Sequence, residues 1–246
     1  MKLFDTPARL DDHLVSFVSP SSFVAEQYRR LRQRVEELSL SRGVRAIAVT
    51  SAVANDGKTM TAINLAGALA KARGSRILIV DADLRKPSVA RRMGLDAAPG
   101  KGIVAALEAA SGSVEQFVQQ MAGSNVFVLA GSVSQGDPYE LLTSARLAWL
   151  LDEARRLYDY VIVDTPPVIP VPDGGLLQRA VDGYLVVVAA RSTPRKLLAE
   201  TLNLLDSSSV IGLVYNRDDR PLFGYYRSRY RRYFNDYVRS LDKVSA

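Results

Sequence analysis

Lys58, Thr59, Asp81, Asp83 and Asp164 are the residues whose types and spacing are equipped for phosphate and metal chemistry. The stretch "SAVANDGKTM" at 51–60 ends in Gly57-Lys58-Thr59. Backbone N–H groups at such a turn wrap phosphate oxygens, the lysine neutralises the β and γ oxygens, and the hydroxyl ligates Mg²⁺. Asn55 stands where such loops commonly carry glycine, and Asn tolerates positive φ better than most residues. With Asp56 and Gly57 it completes the phosphate-facing set. The apolar run "ILIVDADLRKP" ends in Asp81 and Asp83, followed by Arg85, and "YDYVIVDTPPV" ends in Asp164. Mg²⁺ takes one or two carboxylates together with phosphate oxygens, which selects Asp81 and Asp164, with Thr59, as metal ligands. A plainer reading stands beside this one. Gly-Lys-Thr before a helix is also a left-handed turn with a charged first helical turn, and a strand-end carboxylate such as Asp83 caps the turn that follows it.

The elements that must carry these residues follow from hydrophobic pattern. Apolar runs at 44–50, 76–81, 125–130, 160–164, 183–190 and 210–216 are continuous in Val, Ile and Leu rather than alternating. That pattern belongs to strands covered on both faces, and the intervening segments are long enough for crossover helices. The expected fold is α/β, a doubly wound, mostly parallel sheet flanked by helices. Ligands in such sheets sit at the carboxyl ends of the strands, so the aspartates should converge on the loop that carries Lys58. Ser21 to Leu40 reads as a long charged helix with a stripe at Val24, Tyr28, Leu31, Val35 and Leu38. Thr193 is placed as the cap of a later helix with Pro194 at its first position. Residues 1–20 form an arm without a clean period, 21–216 the folded unit, and 217–246 a separate tail.

The 246 residues, 48% hydrophobic and 24% charged, suit one large globular domain. No run is apolar for long enough to span a bilayer and no export signal opens the chain, so a soluble intracellular protein is expected. With no cysteine, thiolate-held iron–sulfur clusters, zinc ribbons and cysteine nucleophiles are excluded. The net charge of +6 is concentrated at the C-terminus, where 216–246 holds eight Arg or Lys against four Asp. That balance is modest for a nucleic-acid or membrane-surface patch, and no nucleic-acid partner is expected. The same tail carries Tyr225, Tyr226, Tyr230, Tyr233 and Tyr237, five of the eleven tyrosines. Phe223, Tyr226, Tyr230, Tyr233, Tyr237, Leu241 and Val244 recur at spacings of three and four, which also fits the apolar stripe of an amphipathic helix, and a helix that undocks to present single tyrosines satisfies both readings.

Taken in order, these stretches resemble the bacterial tyrosine kinases (BY-kinases) of capsule and exopolysaccharide assembly, a branch of the deviant P-loop ATPases, from about Ser21 to Tyr237. The matching motifs are Gly57-Lys58-Thr59, Asp81-Ala82-Asp83-Leu84-Arg85, Asp164-Thr165-Pro166-Pro167, an E-x-x-R-x-x-R set at Glu26, Arg29 and Arg32, and the tyrosine cluster. The resemblance implies an ATP- and Mg²⁺-dependent autokinase acting on tail tyrosines of a neighbouring copy. It implies Lys58, Asp81, Asp83, Arg85 and Asp164 as catalytic residues, with Asp81 accepting the tyrosine proton. Asn55, Asp56, Gly57, Lys58, Thr59, Met60 and Asn216 hold the nucleotide in this picture, with Asn216 at a base-contacting position. It also implies a ring-like homo-oligomer joined through Glu26, Arg29 and Arg32, a separate membrane-embedded activator of the polysaccharide co-polymerase type, a cognate tyrosine phosphatase, and a cytoplasmic location at the inner face of the plasma membrane.

The loop departs from the family's usual P-G-E-G-K by reading Ala54-Asn55-Asp56-Gly57-Lys58, and "SQGDPYELL" keeps Asp137-Pro138 and Glu140 without the customary early prolines. Two other functions share the fold. Partition- or division-type ATPase switches carry a second lysine early in the loop, where this chain has Val53. A nucleotide-binding regulatory adaptor with little kinase activity is the other. His13 and Trp149 read as arm surface and helix-core packing.

Overall fold

The computed structural model describes residues 10–218 apart from 97, 110, 134–135 and 171–172; the first part of the arm and the tail tyrosines lie outside the described residues. Helix α1 (Val15–Val18) is the first described element and α2 (Phe23–Arg42) follows. Strand β1 (Ala46–Ser51) leads into α3 (Lys58–Leu69), and β2 (Ile77–Asp81) into α4 (Val89–Arg92) and α5 (Ile103–Glu108). Then come β3 (Gln119–Gln120), β4 (Val126–Leu129), α6 (Pro138–Leu142), α7 (Ala145–Leu157) and β5 (Tyr160–Asp164). Helix α8 (Asp173–Leu176), β6 (Gly183–Ala189), α9 (Arg195–Leu204) and β7 (Val210–Asn216) complete the described elements.

The strands form one sheet in the order β3-β4-β2-β5-β1-β6-β7. All six strands read from the sequence are present and mutually parallel. The exception is β3, which pairs antiparallel with β4 and consists of two glutamines, too short and too polar to register as an apolar run. Alternate strand residues feed two cores. Leu78, Val80, Val161 and Val163 face Ile103, Leu150 and Leu151, while Ile47, Val49, Ile79 and Ile162 face Leu14, Val35, Ile63 and Leu65 on the opposite side. The order puts the ends of β2, β5 and β1 side by side, which fixes where the site lies.

The described part of the N-terminal arm docks. Leu14 is fully buried, and the Ser16 N–H and hydroxyl donate to the Asn64 side chain and carbonyl at 2.9 and 2.8 Å, while Asn64 Nδ2 donates to the His13 carbonyl. Phe17 lies where a β-carbon on Gly67 would come within 2.5 Å, so a glycine at that point of α3 admits the arm. The His13 side chain itself is exposed. In α2, the Ser22 hydroxyl accepts the Ala25 N–H and Gly43 at φ 70° closes the helix, a capped pair that sets its length. The stripe departs from expectation at one point: Val24 is 51% exposed, because near its start the helix packs through Ala25 instead. Trp149 is likewise outside the core, 40% exposed, with the Arg146 guanidinium 4.3 Å above its ring. Helix α7 buries Leu147, Leu150, Leu151 and Ala154 at helical spacing, and Trp149 falls off that face. Helix α9 begins one residue later than expected, with Pro194 at the flanking position, and the Thr193 hydroxyl is used elsewhere.

Candidate active site

The loop between β1 and α3 turns on Asn55 at φ 68° and Gly57 at φ 97°. Asparagine supplies the first left-handed residue and glycine the second, so one glycine suffices for the turn. Helix α3 starts at Lys58, which directs its first free N–H groups and its positive dipole end toward the same loop.

The charged side chains meet here. Lys58 Nζ donates to Asp83 Oδ2 at 2.8 Å and lies 3.7 Å from Asp164 Oδ1. The Thr59 hydroxyl donates to Asp164 Oδ2 at 2.7 Å. Asp81 and Asp164 are register partners at the ends of β2 and β5. Asp81 is held by the loop that follows it: Oδ2 accepts the Ser88 and Val89 N–H groups at 2.9 and 3.0 Å, and Oδ1 accepts the Asp83 N–H. Asp83 also accepts the Lys86 N–H at 3.1 Å, so the turn-capping reading and the lysine contact are both true of it. Asp164 Oδ1 is buried without a hydrogen-bond partner.

Burying so many charges perturbs them. Desolvation, then the Asp164 charge, pushes the Asp81 carboxyl up to about 7. Desolvation also raises Asp164, to about 6, against the pull of Lys58 and Thr59. For Lys58 burial acts downward, but the charges of Asp164 and Asp83 outweigh it and hold the ammonium above its ordinary value. Among the described residues no group of three or more carboxylates or histidines is arranged to hold a metal ion unaided.

The remaining expected residues are spread more widely. Arg85 is exposed on the turn after Asp83, and Met60 is half-buried with its sulfur 3.3 Å from Arg92 Nη1. Asn216, at the end of β7, donates Nδ2 to the Asp56 carbonyl at 2.9 Å. Asp56 is 1% exposed and its carboxylate is bonded within the protein, to the Thr193 hydroxyl at 2.8 Å and the Val53 N–H at 3.4 Å. Thr193 was legible only as a helix cap; because β6 lies next to β1, the residues just past β6 land against the β1 loop, a relation that needs the strand order. Glu26 and Arg29 form an ion pair at the start of α2. Arg32 turns inward, to Glu36 and to the Ala68 carbonyl at the end of α3.

A family model described as an AAA domain matches residues 44–203. The tyrosine-protein kinase YwqD of Bacillus subtilis is 32% identical over 227 residues, covering 90% of this chain and 94% of that protein. The chain belongs to the bacterial tyrosine kinases. This kinase is also 33% identical over 229 residues to the succinoglycan biosynthesis transport protein ExoP of Rhizobium meliloti, spanning 88% of the chain but 29% of that larger protein. Among solved structures, the chimerical protein CapA2B2 superposes with a TM-score of 0.76 at 28% identity, covering 87% of this chain and 94% of that one. A ParA family ATPase from Chlorobium tepidum superposes at 0.57 with 19% identity over 72% of this chain and 75% of that one, a likeness of fold alone. The tyrosine kinase thus shares its fold with P-loop ATPases of the ParA type.

Proposed function

We propose that this kinase transfers the γ-phosphoryl group of ATP to Tyr225, Tyr226, Tyr230, Tyr233 and Tyr237 of a neighbouring copy, and so regulates the polymerisation and export of an exopolysaccharide or capsule. The observation that carries the catalytic half is the meeting of Lys58 with Asp83, Asp164 and Thr59 at the ends of β1, β2 and β5. Phosphoryl transfer needs positioning and charge neutralisation more than covalent chemistry by the protein. In this reading the Asn55–Met60 loop wraps the phosphates with its backbone, Lys58 leaves Asp83 to neutralise the β and γ oxygens, and Arg85 reaches the transferred group. Asn216 contacts the base.

The donor set suits Mg²⁺. Asp164 Oδ1, buried and without a hydrogen-bond partner, and the Thr59 hydroxyl beside it are hard oxygen ligands, and Asp81 is close enough in register to hold the ion's water shell. When bound, that cation neutralises charge developing between the β and γ phosphates. The Asp81 carboxylate, fixed by two N–H bonds and raised toward neutrality by its surroundings, is then the group that accepts the proton of the incoming tyrosine hydroxyl.

The finer assignments extend the same reading. Residues 21–216 act as the kinase unit, with Glu26, Arg29 and Arg32 on α2 joining copies into a ring, and 217–246 as the acceptor tail. No helix among the described residues is long and apolar enough to cross a membrane. In this reading, which the likeness to a succinoglycan biosynthesis transport protein supports, the kinase works at the inner face of the plasma membrane through a separate membrane-embedded activator, opposed by a tyrosine phosphatase. Phosphorylation adds about −1.5 to −2 charges per tyrosine, enough to reverse the tail's sign once a few are modified. The test is incubation of the purified protein and of Lys58→Met with Mg-ATP, with phosphotyrosine mapped by mass spectrometry. Phosphate on the tail tyrosines of the wild type alone supports the reading. Free inorganic phosphate without labelled tyrosine overturns it in favour of an ATPase switch.

A further inference from the structure

Asp56 lies in the phosphate loop but its side chain is committed to the protein, and the residues that bind it come from the far strands of the sheet. The Thr193 hydroxyl, just past β6, donates to Asp56 Oδ1 at 2.8 Å and accepts the Ala189 N–H at 2.8 Å. Asn216, at the end of β7, donates to the Asp56 carbonyl at 2.9 Å, and its own carbonyl accepts the Ala190 N–H at 2.8 Å. The other carboxylate oxygen accepts the Val53 N–H, and the Val53 carbonyl accepts the Ser51 hydroxyl at 2.7 Å. Asp56 therefore sits between the two left-handed residues of the loop, Asn55 and Gly57, and is bonded on one side to the segment that follows β6 and on the other to the end of β7. The fit is close: a β-carbon on Gly57 would come 2.1 Å from Asn216 Nδ2.

We infer that Asp56, Thr193 and Asn216 form a clamp that positions the phosphate loop, so that Asn216 and Thr193 govern affinity for the polyphosphate part of the nucleotide and not only for its base. The physical need is plain. This loop has a single glycine and a non-glycine residue at φ 68°, a conformation that persists only when its surroundings over-determine it. The clamp supplies that determination through three hydrogen bonds on one buried residue. With the loop held open, its N–H groups are presented to phosphate without an ordering cost at binding. Asp56, Thr193 and Asn216 act here as positioning residues, and the inference rests on the nucleotide-binding reading of the loop.

A base-free ligand separates positioning from base contact. Binding of Mg-tripolyphosphate and of Mg-ATP is measured by calorimetry for the wild type, Thr193→Val, Thr193→Ser and Asn216→Ala, with thermal melting of each protein without ligand. Loss of one hydrogen bond to this buried residue corresponds to about 3- to 30-fold weaker binding. The clamp requires Thr193→Val and Asn216→Ala to weaken Mg-tripolyphosphate by that order, and Thr193→Ser, which keeps the hydroxyl, to restore it. Melting serves as the control: a variant melting with the wild type yet binding tripolyphosphate poorly supports the clamp. If Thr193→Val and Asn216→Ala bind tripolyphosphate as the wild type does, the clamp is overturned, even if Asn216→Ala binds ATP less well. If the wild type takes up neither ligand, the nucleotide reading falls and the clamp with it.

Discussion

Asp81 and Asp164 face each other across adjacent parallel strands with both carboxylates buried, 1% and 0% exposed. Parallel register brings together residues 83 positions apart in sequence and leaves two like charges in one dry pocket, so one or both must take up a proton unless cations neutralise them. The single lysine beside them leaves the cluster short of positive charge.

This pair sets a pH dependence. Asp81 is raised from its ordinary value to about 7, so the folded protein binds its proton more tightly than the unfolded chain does. The stabilising contribution is complete below about pH 4 and is lost as pH rises through about 7. Melting temperature measured across pH 5 to 8 without nucleotide should fall, and Asp81→Asn should flatten that slope, since one pKa unit corresponds to about 1.4 kcal/mol. The same variant should still bind Mg-ATP while transfer to tyrosine drops by about 10²-fold or more.

Magnesium should displace protons. If Mg²⁺ enters with the nucleotide beside Asp164, raised to about 6, and Asp81, binding near pH 6 releases protons that it does not release at pH 8. Calorimetry of Mg-ATP binding in buffers of different ionisation enthalpy reads this directly.

Gly57→Ala should be severe in two ways. The residue has φ 97° and its new β-carbon would meet Asn216, so the loop must deform. A loss of roughly 1–3 kcal/mol of stability is expected from the backbone conformation, with ATP affinity falling more than that loss alone would explain. Chemical denaturation and ATP titration of the same variant separate the two.

Asn64→Ala should release the arm. Its side chain, 1% exposed, accepts the buried Ser16 N–H and donates to the His13 and Met60 carbonyls. About 1–3 kcal/mol should be lost, since the buried Ser16 N–H is left unpaired. Limited proteolysis should then cut before α2, at sites protected in the wild type. Trp149→Ala, by contrast, should cost about 1 kcal/mol or less, as the ring is partly in solvent and held chiefly by Arg146.

Much of this was legible in the sequence because the signals were local. Continuous apolar runs mark six strands, and the rule that ligands sit at strand carboxyl ends is enough to bring Asp81, Asp83 and Asp164 to the Lys58 loop. What escaped depended on long-range geometry. Trp149 looked like core because aromatic residues in apolar helices usually are, but its angular position on α7 excludes it. Thr193 and Asp56 became partners only because β6 neighbours β1, a fact of strand order that no local pattern encodes. Arg32 matched an intersubunit motif, yet it also binds the end of α3 in its own chain, a use that spacing on a single helix cannot reveal.

The central claim is transfer between copies, and a mixture tests it most directly. One chain carries Lys58→Met with its five tail tyrosines intact; the other keeps Lys58 but has Tyr225, Tyr226, Tyr230, Tyr233 and Tyr237 all changed to Phe. After incubation with Mg-ATP, mass spectrometry should find phosphotyrosine on the tail of the Lys58→Met chain, which has no activity of its own. Absence of phosphate on that tail, in a mixture whose Lys58-bearing chain still hydrolyses ATP, would contradict the claim.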